Sequence, residues 1–404
     1  LELAQIYRPT VTLVGHPFGP NGRNEHLRAI FRAFRSVGVK PTVFDWSHSR
    51  PVDDPDGDIT SSLVRDLPGR FRIFHTNGFE VPRMMQVLEG IRGRGFAEGY
   101  NIIFPAWELP RYPEAWARDL DYFHEVWASS QFCYDSFRAV VKAPVHHVVN
   151  ACEPHAHSLL ERSHFKIPEH RFVVLFFFDA LSWSARKNPL AVIEAFRGLL
   201  AQRPRADAHL VLKMHNTSHA PGVLANIRSL SASFAERITV IDATLTGNEI
   251  ANLTRCSDCF ISLHRSEGFG RGPAEAMFFG KPVIATGWSG NMQYMNSDVS
   301  FPVRFRLIPV QPGEYPEFKN QVWAEPDVVH ATELLISLVD DPTLRRSVGE
   351  RAAIHMRRNY SDQVLGAHYV RRLRRVLLWP WGRGLRNEGV LRPRRPSALP
   401  SERT

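Results

Sequence analysis

Two glutamates, Glu267 and Glu275, are separated by seven residues that include Gly268, Gly270 and Gly272. A carboxylate is an acceptor suited to sugar hydroxyls. Glycines let a backbone turn tightly and approach a ligand closely. The apolar run 259–263 ends just before this pair and reads as a buried strand ending at a site. Pro273 suits the first position of a helix that continues through 274–279 and stops at Gly280. Residues 281–286 read as the next strand. A helix N-terminus presents unpaired N–H groups and partial positive charge, which suits a phosphate. The spacing therefore predicts a site for a phosphorylated, hydroxyl-rich ligand.

A second cluster lies 80 positions earlier. Arg186 and Lys187 precede Asn188, Pro189 and a helix over 190–200. They follow the near-continuous apolar run 171–178, as expected of a parallel strand buried on both faces. Cations at a helix N-terminus oppose its dipole, so this pair makes sense facing an anion. A third cluster is the loop after the short apolar strand 11–14, with Gly15, Gly22 and Asn24. Gly22 is followed by Arg-Asn rather than Lys-Ser/Thr, so this is not a P-loop, and it lacks the spacing of a dinucleotide site. His75, Asn77 and Glu108 stand just past two further strands, where α/β sheets bind ligands.

The stretch from Glu267 to Glu275, continued by Ala-Met and by Gly-Lys-Pro-Val-Ile-Ala-Thr, resembles the signature of glycosyltransferase family four, retaining enzymes of the GT-B fold. The segment around Trp107, Glu108, Leu109 and Pro110 resembles a subgroup that includes polysaccharide mannosyltransferases. The resemblance implies a nucleotide-sugar donor, with GDP-mannose as the guess from that subgroup, and a saccharide or lipid-linked acceptor. It implies that Glu267 holds donor-sugar hydroxyls and Glu275 the ribose. Backbone near Gly268, Phe269 and Gly270 would contact the donor, and Lys187, with Arg186, would neutralise its pyrophosphate. The glycine loop with Gly15, Gly22 and Asn24 would lie near the phosphates and acceptor. Glu108 stands where many members carry a His or Asp facing the reacting centre. The family usually has a second cation several residues before the lysine, where this chain has Leu181 and Ser182. No divalent metal or cofactor is implied, since Lys187 and helix amides can stabilise the leaving diphosphate. A sugar-nucleotide epimerase of the same fold and a non-catalytic sugar-nucleotide-binding module are the alternatives.

The elements that must position these residues follow a βαβ pattern. Strands are expected over 40–45, 145–149, 208–213 and 238–242, strand-then-loop units over 70–78 and 99–110, and helices over 26–37, 248–256, 332–338, 341–358 and 361–378. The expected architecture is α/β: two Rossmann-like domains facing each other across a cleft. We expect an acceptor domain at 1–152, a linker at 150–170, a donor domain at 171–358 and a helix at 359–378 that crosses back. At 404 residues, 44% apolar and 23% charged, the chain can hold two domains of ordinary size.

Ten arginines against two glutamates in 369–404 place +8 of the net +9 there. The body is nearly neutral, which argues against a nucleic-acid groove. The tail 379–404, with Trp379 and Trp381 beside paired arginines, is expected to be disordered and to meet an anionic membrane surface. Four cysteines and no signal-peptide pattern lead to a cytoplasmic expectation. The pair Cys256 and Cys259 reads as structural. The 286–291 segment lacks the last glycine of a nucleophile elbow and reads as a donor-side loop.

Overall fold

The computed structural model describes residues 9–19, 22–47, 57–93 and 95–378. The proposed tail at 379–404, with its tryptophans, lies outside the described residues.

Two six-stranded sheets, parallel throughout, organise the chain. The first has the order β2-β1-β3-β4-β5-β6, built from β1 (Val11–Gly15), β2 (Thr42–Asp45), β3 (Phe71–Phe74), β4 (Tyr100–Ile103), β5 (Glu125–Ala128) and β6 (Val145–His147). The second has the order β12-β11-β10-β7-β8-β9, from β7 (Phe172–Asp179), β8 (Ala208–His215), β9 (Ile238–Asp242), β10 (Cys259–Ser262), β11 (Val283–Thr286) and β12 (Phe301–Val303). Apolar runs such as Phe172–Asp179 become central strands because helices cover both sheet faces. In each sheet the order reverses at one place: between β1 and β3, and between β7 and β10. Loops leaving the carboxyl ends at such a reversal form a crevice, the usual ligand site of open α/β sheets.

Boundaries differ from expectation where end chemistry outweighs periodicity. The helix after the signature strand runs Arg271–Phe278, two residues earlier than Pro273 suggests, because Gly270 adopts φ +83° and turns the chain into it. The helix Gly22–Ser36 likewise starts earlier than 26, and β8 extends two residues past 213 to His215. Strand β5 was not among the expected elements.

An antiparallel hairpin, β13 (Phe305–Pro309) and β14 (Val322–Pro326), was also not foreseen. It leaves the second sheet and docks on the first domain. Gln321 donates to the carbonyl of Arg111 (2.6 Å) and accepts from its N–H (3.2 Å). Trp323 and Tyr315 are buried in the same apolar cluster as Trp107, Leu109 and Phe137 of the first domain.

The terminal helix Asp362–Leu378 packs along the helix Gly22–Ser36 of the first domain. Tyr369 stacks near Trp127 and donates to the carbonyl of Val149 (2.7 Å). Arg372 pairs with the buried carboxylate of Glu125. The chain thus returns to the first sheet after completing the second.

Candidate active site

A cavity of about 970 Å³ lies between the two sheets. It is lined by Glu267, Gly268, Phe269, Gly270, Glu275, Arg186, Lys187, Glu108 and Gly22 together. Members of each expected cluster, distant in sequence, therefore converge on one space.

The second sheet's reversal brings the β7 and β10 loops face to face. Lys187 Nζ lies 2.5 Å from Glu267 Oε1, and Arg186 Nη1 lies 3.1 Å from Glu267 Oε2. Arg186 also donates to the carbonyl of Ser266 (2.9 Å), and its Nη2 lies 3.9 Å from Glu108 Oε1. Burial alone would raise the Glu267 carboxyl, but Lys187 and Arg186 hold it down to about 2. Burial pulls the Lys187 ammonium downward against the pull of Glu267. In contact with an ionised carboxylate at 2.5 Å, it is the charged pair that persists near neutral pH.

The backbone of the signature loop is braced from behind. Ser289 Oγ accepts from the N–H of Glu267 (2.9 Å), and the N–H of Gly290 donates to the Glu267 carbonyl (2.8 Å). Asn291 Oδ1 lies 3.0 Å from Nε2 of the buried His264. The 286–291 segment, expected as a donor-side loop, braces the backbone of Glu267. From the other domain, Ser130 Oγ donates to the carbonyl of Gly268 (2.6 Å), and the Ser266 hydroxyl donates to the carbonyl of Glu108.

Because the helix begins at Arg271, Glu275 lies past its first turn rather than in it, and pairs with Arg271 one turn earlier at 2.8 Å. Burial raises its pKa, and Arg271 opposes that shift. The same guanidinium lies 3.7 Å from Glu25 Oε1 on the first domain and donates to the carbonyl of Ala151 (2.8 Å). Arg271 therefore joins the domains at the cavity floor, a role the sequence reading did not assign.

Glu108, on the first domain, is met from the second: the Tyr315 hydroxyl donates to it, and Arg186 stands on its other side. Asn77 lines the cavity, and its Oδ1 accepts from the N–H of Ala106 (3.1 Å). Gly15 and Asn24, expected near the phosphates, do not line the cavity. Gly15 packs where a Cβ would lie 2.8 Å from Leu27 Cδ1, and Asn24 is buried with its amide donating to the carbonyl of Phe18. Of that loop's three named residues, Gly22 reaches the space. His75 lies behind His26, edge-on at 4.8 Å, and burial lowers its pKa to about 3. It is a neutral packing residue, not one at the cavity wall. Cys256 and Cys259 are buried free thiols.

Among the lining residues that the sequence reading missed are Lys213 and His215, near the end of β8. Their alternate spacing puts them on one face of the strand, and that was the available signal.

Residues 172–315 match the family described as Glycosyl transferases group 1. No curated protein matches the chain. The structure is similar to that of Anabaena HepE, crystallised with UDP and glucose, with a TM-score of 0.64 and 16% identity over 90% of this chain and 99% of that one. It is also similar to sucrose-phosphate synthase from Thermosynechococcus elongatus, with a TM-score of 0.63 and 12% identity over 92% and 99%. A glycosyltransferase from Rickettsia africae gives 0.62 and 13% over 92% and 100%. The fold is GT-B. Among the described residues no helix is long and apolar enough to cross a membrane.

Proposed function

We propose that the chain transfers a sugar from a nucleotide-sugar donor to a saccharide or lipid-linked acceptor, with retention at the anomeric carbon. The observation that carries this reading is the meeting of Glu267 with Lys187 and Arg186 at the chain reversal of the second sheet, inside the segment matched to group 1 glycosyl transferases. Glu267 presents acceptor oxygens for sugar hydroxyls, and the two cations offer charge for a diphosphate leaving group. Because that charge grows as the bond to the anomeric carbon breaks, a preorganised cation stabilises the transition state more than the ground state. Among the described carboxylates, Glu267 is held by two cations and Glu108 by Tyr315 and Arg186. This favours attack on the same face as the departing phosphate over a covalent glycosyl-enzyme. In this reading Glu275 holds the ribose, Glu108 faces the acceptor hydroxyl and no metal is required.

HepE was crystallised with UDP and glucose, which supports a nucleotide-sugar ligand of this general kind. Mannose as the transferred sugar and a role in cell-surface polysaccharide synthesis belong to the same proposal. The test is to incubate the protein with UDP- and GDP-linked hexoses and follow release of the nucleotide and the anomeric proton of the new sugar. An α-donor should give an α-product, with and without EDTA. A β-product, or activity lost in EDTA and restored by magnesium, would overturn the mechanism. Absence of turnover with every donor and acceptor, despite nucleotide binding, would leave a binding module.

A further inference from the structure

Seven lysines and arginines line the cavity, and six of them have a carboxylate within 4 Å: Arg23, Arg28, Arg32, Arg186, Lys187 and Arg271. Lys213 is the exception among the described residues. It is 4% exposed, and its Nζ lies 3.1 Å from Nδ1 of His215, which is 5% exposed. A buried ammonium with one hydrogen bond leaves two N–H groups unsatisfied, a costly arrangement unless a ligand completes it.

The pairing also fixes the histidine. Protonated Lys213 can only donate, so His215 Nδ1 must accept, and a neutral imidazole then carries its proton on Nε2. Burial and the neighbouring Lys213 both lower the His215 pKa, which keeps the ring neutral. Its Nε2 is buried without a hydrogen-bond partner, and the nearest acidic oxygen, Asp179 Oδ1, is 3.7 Å away. That oxygen already accepts from Leu181 N–H and Asn216 Nδ2. The two side chains therefore offer donors and no acceptor.

Their place in the cavity says which part of a ligand they meet. They stand on β8, on the far side of β7 from β10, and so away from the Glu267 end. Leu245, Ile250 and Ala251, from the connection after β9 and its helix, supply apolar wall at the same end. Apolar sides with a few fixed polar groups make a slot for a flat heterocycle.

Resting on the nucleotide-sugar reading above, we propose that Lys213 and His215 form the nucleobase end of the donor site and select a base with a keto oxygen over one with an exocyclic amine. Uracil O4 or guanine O6 accepts from these donors. Cytosine and adenine present an amino group at the corresponding position, which leaves the donors unpaired, and a site built on hydrogen bonds rejects a ligand that cannot make them.

The test is calorimetric binding of UDP against CDP and GDP against ADP, using whichever ring size binds more tightly, with inorganic pyrophosphate as a base-free probe. Wild type should prefer the keto member by about tenfold or more. Lys213→Met and His215→Phe should each cut that ratio severalfold, Lys213→Arg should restore most of it, and pyrophosphate binding should be unchanged. Circular dichroism checks that each variant folds. Equal wild-type affinity for the keto and amino members would overturn the proposal, as would a ratio unmoved in both variants. An equal loss for both nucleotides and pyrophosphate would assign Lys213 to a phosphate instead, and would also overturn it. If none of the four nucleotides binds wild type, the nucleotide-sugar reading fails first and this proposal goes with it.

Discussion

Lys187 and Glu267 are 80 positions apart and meet at 2.5 Å, so the cation proposed for a diphosphate is already in contact with the carboxylate proposed for the sugar. The pair is preorganised. Under the proposed function, donor phosphates need only draw the ammonium part-way from Glu267, while Arg186 at 3.1 Å keeps that carboxylate neutralised. Lys187→Met should therefore lower kcat by more than it raises KM for donor, because the leaving charge is largest in the transition state. Steady-state kinetics over a donor series checks this, and an effect confined to KM would count against it.

The same contact predicts an acid response. The Glu267 carboxyl is held at about 2, below its ordinary value of 4.5. A depressed carboxyl contributes stability that is fully present above pH 4.5 and is lost as pH falls through 2, for a total of about 3 kcal/mol. Urea unfolding at pH 5 and pH 3 should show wild type losing more stability across that window than Glu267→Gln. Equal losses in the two proteins would mean that the buried pair does not set Glu267 apart from ordinary carboxylates.

Glu275 and Glu267 should separate in binding experiments. Glu275, proposed to hold the ribose, would contact a part shared by donor and product. Glu275→Ala should weaken free UDP or GDP by roughly tenfold or more, the worth of a hydrogen bond to a charged group. Glu267→Ala should spare free nucleotide and reduce turnover. Calorimetry that finds equal nucleotide affinity in wild type and both variants would refute the assignment. Arg271→Met should in addition strand the buried Glu275 charge, at about 3–5 kcal/mol in unfolding free energy.

What the sequence made legible follows from what is local. Phe172–Asp179 and Cys259–Ser262 announce themselves as unbroken apolar runs, and the helices after them announce themselves by Pro and Gly punctuation. The glutamate pair and Arg186–Lys187 were readable because each carries its own glycine or helix context. The Arg271 bridge to Glu25 and the Ser130 bond to Gly268 were not, since they join positions well over 100 apart and depend on how the sheets face. The hairpin was missed because Phe305–Pro309 is largely exposed and flanked by prolines, so no buried pattern marks it. Lys213 and His215 were missed because charge at a strand end looks like solvent exposure until the neighbouring strand covers it.

The hairpin carries a prediction of its own. Tyr315 holds the Glu108 carboxylate from the second domain, and Trp323 is fully buried against the first. Tyr315→Phe should cost about 1.5–3 kcal/mol as a lost hydrogen bond to a charged group. Trp323→Ala should cost about 3–5 kcal/mol as a cavity. Urea denaturation measures both. If the hairpin only decorated the second domain, both changes would fall within the about 0.5 kcal/mol typical of surface sites.

The last prediction concerns Gly366, near the start of the returning helix Asp362–Leu378. In an exposed helix interior, replacing glycine by alanine stabilises by about 1 kcal/mol through backbone entropy. Here the sign should reverse. A Cβ at Gly366 would lie 2.0 Å from the carbonyl oxygen of Ala33 and 3.3 Å from Val37 Cγ1, on the helix it packs against and just beyond that helix's end. Backbone cannot swing aside as a side chain can, so the helices must part, at the 1–3 kcal/mol or more typical of overpacking. Separation would also loosen Tyr369 from Val149 and Arg372 from Glu125, since both anchor the same helix. Gly95→Ala serves as the control, because Gly95 has open space around its Cβ and ordinary backbone geometry. Thermal and urea unfolding should show Gly366→Ala clearly destabilised and Gly95→Ala close to wild type. A stabilised Gly366→Ala would mean that the terminal helix does not sit on the first domain as described.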